Sequence, residues 1–199
     1  MVSAILLAAG ESRRMGAKNK LLMLFENKSI IEHIVENLIA SRAAEVIVVL
    51  GHEAETVQSV LSGKNVIFAI NPNFRQGMTT SIHAGIANAS PNVGGFMICL
   101  SDLPFITTGE FNVLIDAFEA ASRKDSKTII VPQFDGQRGN PVIFSAGYRK
   151  DILEHKGLMG CKGIVKQNPD RVLEVEMATD HILRDIDTAE DYEAFIRKN

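Results

Sequence analysis

The residues best suited to chemistry lie in short polar segments that each follow an apolar run. The first, from Ala8 through Gly10, Ser12 and Gly16 to Lys20, sets two glycines among the cations Arg13, Arg14, Lys18 and Lys20. Backbone amides uncovered by glycine, with clustered positive charge, suit a polyphosphate. The segment is not a P-loop, because five residues separate Gly10 from Gly16 and Ala17 precedes Lys18. Nor does it carry the three glycines of a dinucleotide fingerprint. The alternative is a solvated basic loop.

A second segment, Leu100-Ser101-Asp102-Leu103-Pro104, ends an apolar run directly on a carboxylate. Aspartate there can hold a hard cation such as magnesium with several waters retained, or it can form an Asx-turn before Pro104. Near the C-terminus, Asp185-Ile186-Asp187-Thr188 precedes Glu190 and Asp191. Those acids can supply metal ligands, or Thr188 and Asp187 can cap the last helix while the acids after them favour its N-terminal dipole. The segment Asn71 to Ser81 offers short polar side chains that could read a nucleobase edge or cap a helix starting around Ser81. Gly136, Arg138, Gly139, Asn140 and Pro141 read as a hairpin-like turn.

Other chemistries find little support. His33, His52, His83, His155 and His181 are scattered without the i, i+4 spacing of a zinc helix. Cys99 lies in a core-like run and reads as a small hydrophobe. Cys161 does not pair with it in any metal-ligand spacing. Ser12 and Ser81 lack a nucleophile elbow and a His–Asp partner.

The elements that must position these segments follow from periodicity. Apolar runs at Val2–Leu7, Val46–Leu50, Val66–Ile70, Phe96–Leu100, Ile129–Val131 and Val142–Phe144 read as buried strands. Between them lie helical stretches. One begins with the capping box Ser29/Glu32 and carries Ile30, Ile31, Ile34, Val35, Leu38 and Ile39 on one face. Another begins at Thr107/Glu110 and carries Phe111, Leu114, Ile115 and Phe118. Alternation of this kind predicts an α/β fold, a Rossmann-like three-layer sandwich with a mostly parallel sheet. Ligands of such sheets sit beyond the carboxyl ends of the strands, where the polar segments fall.

The 199 residues predict one domain, 1–199, against a typical ~100–200 per domain. With 46% apolar and 23% charged residues the chain is neither disordered nor membrane-spanning. A net charge of −3 offers no global field for nucleic acid or anionic lipid. Two cysteines and an N-terminus without signal-peptide order predict a reduced, cytoplasmic protein.

Several of these segments together resemble one family. The run Leu7-Ala8-Ala9-Gly10-x-Ser12-x-Arg14-Met15-Gly16, with Lys20-Leu21-Leu22 after it, resembles the signature loop of the MobA-like nucleotidyltransferases, most closely the molybdenum cofactor cytidylyltransferase branch. Gly77-Met78-x-x-Ser81, Ser101-Asp102-Leu103-Pro104, Gly139-Asn140-Pro141 and Asp185-Ile186-Asp187-Thr188-x-Glu190-Asp191 resemble later family motifs in the same order. The resemblance implies a first loop, including Leu7, Ala8, Ala9, Gly10, Ser12, Arg13 and Gly16, that wraps a nucleoside triphosphate. It implies that Lys20 and Arg14 meet the phosphates, that Asp102 holds Mg2+ with Asp187 or Asp185, and that Asn71 and Ser81 lie beside the base. Ala189 stands where the family commonly has proline, which leaves Asp185 and Asp187 as alternatives. The implied reaction transfers CMP from CTP to the terminal phosphate of the pterin-based molybdenum cofactor. The implied partners are CTP or another nucleoside triphosphate, the phosphorylated pterin, and a molybdenum hydroxylase. The alternatives are guanylyl transfer, transfer to a sugar phosphate, and a non-catalytic cofactor carrier.

Overall fold

The computed structural model describes residues 1–12, 19–158 and 160–196. The first apolar run forms β1 (Val2–Ala8), buried along its whole length. A short antiparallel pair, β2 (Leu24–Phe25) and β3 (Lys28–Ser29), leads into α1 (Ile30–Ala40). Then come β4 (Glu45–Leu50), α2 (Ala54–Val60), β5 (Ile67–Ile70), α3 (Met78–Asn88), β6 (Gly95–Leu100) and α4 (Thr108–Ser122). The second half holds β7 (Ile129–Phe134), β8 (Gln137–Arg138), β9 (Val142–Ser145), α5 (Arg149–Glu154), α6 (Lys162–Gln167), β10 (Val172–Glu176) and α7 (Ala189–Ile196).

The main sheet runs β10-β7-β9-β6-β1-β4-β5, with β8 beside β7. Strands β5, β4, β1 and β6 are mutually parallel, as are β7 and β10. Strand β9 is antiparallel to both β6 and β7, so those two point the same way and the expected mostly parallel sheet results. Because strand side chains alternate, β1 feeds two cores. Ala4, Leu6 and Ala8 join the cluster that contains Ile31, Ile34 and Val35 of α1 and Phe111 and Leu114 of α4. Ile5 and Leu7 join the opposite cluster with Ile82 and Ile86 of α3 and Ile152 of α5. Helices thus cover both faces, the three-layer arrangement expected. Gly85 lets α3 lie close on β1, since a side chain there would run into Ile5.

Both expected capping boxes form. Ser29 accepts from the Glu32 amide while the Glu32 carboxylate accepts from the Ser29 amide, and Thr107 and Glu110 do the same. The Glu110 carboxylate also accepts from the Thr179 hydroxyl at 2.5 Å and lies 3.1 Å from His181 Nδ1, so this cap ties down the chain that returns after β10. Burial opposes its charge, yet the hydrogen bonds from Thr179 and Thr107 hold its carboxyl below the ordinary value. Helix α3 begins at Met78, three residues before the expected start, because Gly77 with φ 112° makes the turn into it. The hairpin-like turn is real: Asp135 and Gly136, both at positive φ, join β7 to β8. No helix among the described residues is long and apolar enough to cross a membrane.

Candidate active site

The register brings the carboxyl ends of three strands to one edge, with Ala8 beside Leu50 and Leu7 beside Leu100. A cavity of about 490 Å³ opens there. Leu7, Ala9, Gly10, Glu11 and Ser12 form one wall, Phe74, Arg75, Gly77, Met78 and Ser81 another, and Leu100, Ser101 and Asp102 the floor, with Lys20, Leu21 and Asp187 closing it. The Ser101 hydroxyl donates to the Leu7 carbonyl at 2.7 Å and locks the two central strand ends together.

Gly10 exposes its backbone to this space, and a Cβ built on it meets nothing within 4 Å. The chain beyond turns at Ser12, which adopts φ 48°. The Ser12 hydroxyl accepts from the Lys20 amide at 3.4 Å, and the Asn19 side chain caps the 3-10 turn Lys20–Leu22 by accepting from the Leu21 amide. Lys20 is therefore fixed at its backbone, and its side chain, only 13% exposed, reaches across the cavity. Its ammonium donates to the Ile186 carbonyl at 3.1 Å and to Asp187 Oδ1 at 3.0 Å, and stands 3.5 Å from Asp102 Oδ2.

Asp102 and Asp187, 85 residues apart, meet because the returning chain pairs with the end of β6, where the Ile186 amide donates to the Asp102 carbonyl at 2.9 Å. Asp102 Oδ1 is buried and has no hydrogen-bond partner among the described residues. Burial pushes the Asp102 carboxyl above its ordinary value; Lys20 opposes this, and the neighbouring Asp187 charge adds to it. The charge of Asp185 also raises the Asp102 carboxyl. Asp185 lines a second cavity of about 180 Å³ with Arg138, Asn140 and Asp102 itself. Gly139 permits that fold, since a Cβ on it would lie 2.5 Å from the Ile182 carbonyl oxygen.

Of the residues expected from sequence, Leu7, Ala9, Gly10, Ser12, Lys20, Ser81, Asp102 and Asp187 line the main cavity. Ala8 is buried in the strand beneath it. Asn71, 3% exposed, stands behind the wall: its amide donates to the Thr80 and Ser81 hydroxyls at 2.9 and 3.0 Å, and its carbonyl oxygen accepts from the Asn73 amide. Arg13, Arg14 and Gly16 lie outside the described residues. The final acidic segment serves both of its sequence readings. Asp187 meets Lys20, while the Thr188 hydroxyl accepts from the Asp191 amide and the Asp191 carboxylate accepts from the Thr188 amide, capping α7.

Glu11, Phe74 and Met78 were not foreseen as wall residues. Arg75 donates to Glu11 at 3.1 Å across the cavity mouth and stacks over the Phe74 ring at 5.3 Å. Gly51, at the end of β4, makes room for that ring, since a Cβ on it would lie 2.7 Å from Phe74 Cγ. No spacing in the sequence signals these contacts, which depend on two separate strand ends meeting. Cys99 is buried, and burial raises its thiol above the ordinary value, as it does Cys161, pushed up to about 12. Neither is poised as a nucleophile. Among the described residues no group of three or more His, Cys, Asp or Glu is arranged to hold a metal.

The family model for the MobA-like NTP transferase domain matches residues 4–172. The chain belongs to this nucleotidyltransferase family. The matched stretch contains the first loop, the Asn71–Ser81 segment, Asp102 and the Gly139-Asn140-Pro141 turn; Asp185 and Asp187 lie beyond it. Among curated proteins, the chain is 25% identical over 197 residues to a nicotine blue oxidoreductase of Paenarthrobacter nicotinovorans, covering 95% of this chain and 93% of that one. It is 30% identical over 151 residues to a molybdenum cofactor guanylyltransferase of Vibrio parahaemolyticus, covering 76% and 70%. Among solved structures, a nucleotidyl transferase from Methanothermobacter superposes with a TM-score of 0.83 at 22% identity, covering 100% of this chain and 99% of that one, a likeness of fold.

Proposed function

We propose that the chain is a magnesium-dependent nucleotidyltransferase, with residues 1–199 acting as one cytoplasmic domain. On this reading it moves CMP from CTP to the terminal phosphate of the molybdopterin cofactor and releases pyrophosphate. The observation that carries the reading is the convergence, at one cavity, of the open Gly10 backbone, the Lys20 ammonium and the Asp102 and Asp187 carboxylates. A glycine edge and a cation suit a triphosphate, and two carboxylates suit its counter-ion.

The donor set fits magnesium. Asp102 Oδ1 is a buried carboxylate oxygen without a hydrogen-bond donor among the described residues, and Asp187 stands on the other side of the same ammonium. Asp102 and Asp187 would hold the ion, with Asp185 turned to the second cavity. When bound, magnesium neutralises charge on phosphate oxygens and helps orient an in-line displacement. The chain's own residues do the rest. The Gly10 edge lets the triphosphate approach the backbone, Lys20 offsets charge on the departing pyrophosphate, and Ser81 with the Phe74 and Met78 walls bounds the nucleoside. An acceptor phosphate is already ionised at neutral pH, so no general base is required. Positioning and charge neutralisation supply the rate, in keeping with buried, unactivated cysteines.

The Ala8-Ala9-Gly10 form of the loop resembles the cytidylate branch and supports CTP. Guanylate transfer to the same acceptor is the second reading, supported by the likeness to the Vibrio guanylyltransferase. On the cytidylate reading the partner that receives the product is a molybdenum hydroxylase. Calorimetric titration of the four ribonucleoside triphosphates in magnesium tests the donor: CTP should bind most tightly, GTP binding best would favour the second reading, and binding by none would refute both.

A further inference from the structure

Lys20 occupies an unexpected place for a phosphate ligand. Its ammonium lies 3.0 Å from Asp187 Oδ1 and 3.5 Å from Asp102 Oδ2, between the two carboxylates suited to a divalent cation, and also donates to the Ile186 carbonyl. We propose that Lys20 is the resident counter-ion of this carboxylate pair, so that divalent metal binds weakly to the protein alone and enters together with the triphosphate. The inference rests on the nucleotidyl-transfer reading of the same cavity and adds an order of binding to it.

The physical argument concerns charge at short range. Two carboxylates that face each other over a partly buried floor need a cation to remain ionised together. A metal that arrives while Lys20 is seated meets a like charge within hydrogen-bond distance of one ligand oxygen and close to another. A triphosphate changes the balance, because it offers Lys20 alternative anionic partners in the same cavity. The exchange needs side-chain rotation only, since the Lys20 backbone is held by Ser12 and by the Asn19-capped turn. In the ligand-free protein the same ammonium pins the returning chain through Ile186 and Asp187. Lys20 thus fastens the site before substrate arrives and yields its seat when substrate does.

The test uses Mn2+ as the probe, its free ion followed by electron paramagnetic resonance, on the full chain without nucleotide. Lys20→Met should bind Mn2+ at least ~10-fold more tightly than wild type, the scale of removing one like charge at this distance. Lys20→Arg should stay as weak as wild type, and adding Asp102→Asn to Lys20→Met should abolish the gain and so place it at this pair. A folded Lys20→Met with unchanged or weaker Mn2+ affinity overturns the inference. If Lys20→Met does not fold, the wild type decides. The Lys20 ε-carbon resonance should move with CTP in the absence of metal and stay still with millimolar magnesium alone; movement with magnesium alone overturns the inference. A wild type that binds no nucleotide refutes the nucleotidyl reading instead, and leaves the Mn2+ comparison to judge the counter-ion.

Discussion

Replacing Asp102 by Asn separates a metal-holding carboxylate from a turn-forming one. Asn keeps the side-chain shape and the ability to form an Asx-turn, and it leaves intact the backbone carbonyl that accepts from Ile186. What disappears is the negative charge 3.5 Å from Lys20, one carboxylate oxygen becoming an amide NH2. Turnover should fall by roughly 10²–10³, about 2.7–4 kcal/mol, as for loss of one preorganised electrostatic group. Stability should move the other way. Burial outweighs the attraction of Lys20 and raises the Asp102 carboxyl above its ordinary 3.8. A carboxylate with a raised folded-state value holds its proton longer in the folded than in the unfolded chain. Its contribution therefore favours the fold at low pH and is lost as pH rises through that value. Asn carries no such penalty. Its melting temperature at pH 7 should equal or exceed that of wild type by at most about 4 °C, on the order of 1 kcal/mol for a chain of this size. The gap should shrink as pH approaches 4. The assays are pyrophosphate release at limiting and excess magnesium, and calorimetric melts across pH. Full activity at limiting magnesium would refute the metal role and leave Asp102 a turn residue, which Asn replaces without loss; a melting point lowered by more than about 4 °C would refute the burial argument.

Asp187→Asn should lose less turnover than Asp102→Asn and be partly rescued by excess magnesium, whereas Asp185→Asn should leave the KM for CTP unchanged because it faces the second cavity; steady-state kinetics at two magnesium concentrations check both. Gly10→Ala should stabilise the ligand-free chain by about 0.4–1 kcal/mol, since its φ is ordinary and nothing crowds the new Cβ. The same methyl group narrows the cavity edge, so titration should show weaker CTP binding. CTP with magnesium at one hundred times its dissociation constant should stabilise the fold by about 2.7 kcal/mol, read as a thermal shift larger than that given by GTP at the same concentration.

The parts of the fold visible in the sequence are those set locally. Continuous apolar runs became strands, although Val66–Ile70, read as buried, forms the edge strand β5 with Ile67 and Ile70 exposed; the Ser29/Glu32 and Thr107/Glu110 boxes became helix starts. The position of β9 was not visible, because its insertion between β6 and β7 reverses direction and depends on long-range pairing. Strand β10 sits at a sheet edge with no fully buried residue, so it lacks the buried apolar run that marks the central strands. In the site, the glycine loop and the two aspartates stood out by type and neighbourhood. Their joint attachment to one lysine did not, since it follows from the Ile186–Asp102 backbone hydrogen bond made by the returning chain. Asn71 shows the opposite case: its residue type suited a base contact, while its burial and three side-chain hydrogen bonds commit it to Asn73 and to the first turn of α3, which carries Ser81.

The central claim is that this cavity releases pyrophosphate from a nucleoside triphosphate by transfer to a phosphorylated pterin. The direct measurement is pyrophosphate release from each of the four ribonucleoside triphosphates in magnesium, with and without molybdenum cofactor. The account predicts release that requires the cofactor, is fastest with CTP, and falls at least ~10²-fold in Asp102→Asn. Cofactor and CTP both bound with no pyrophosphate formed would contradict it and make the chain a carrier.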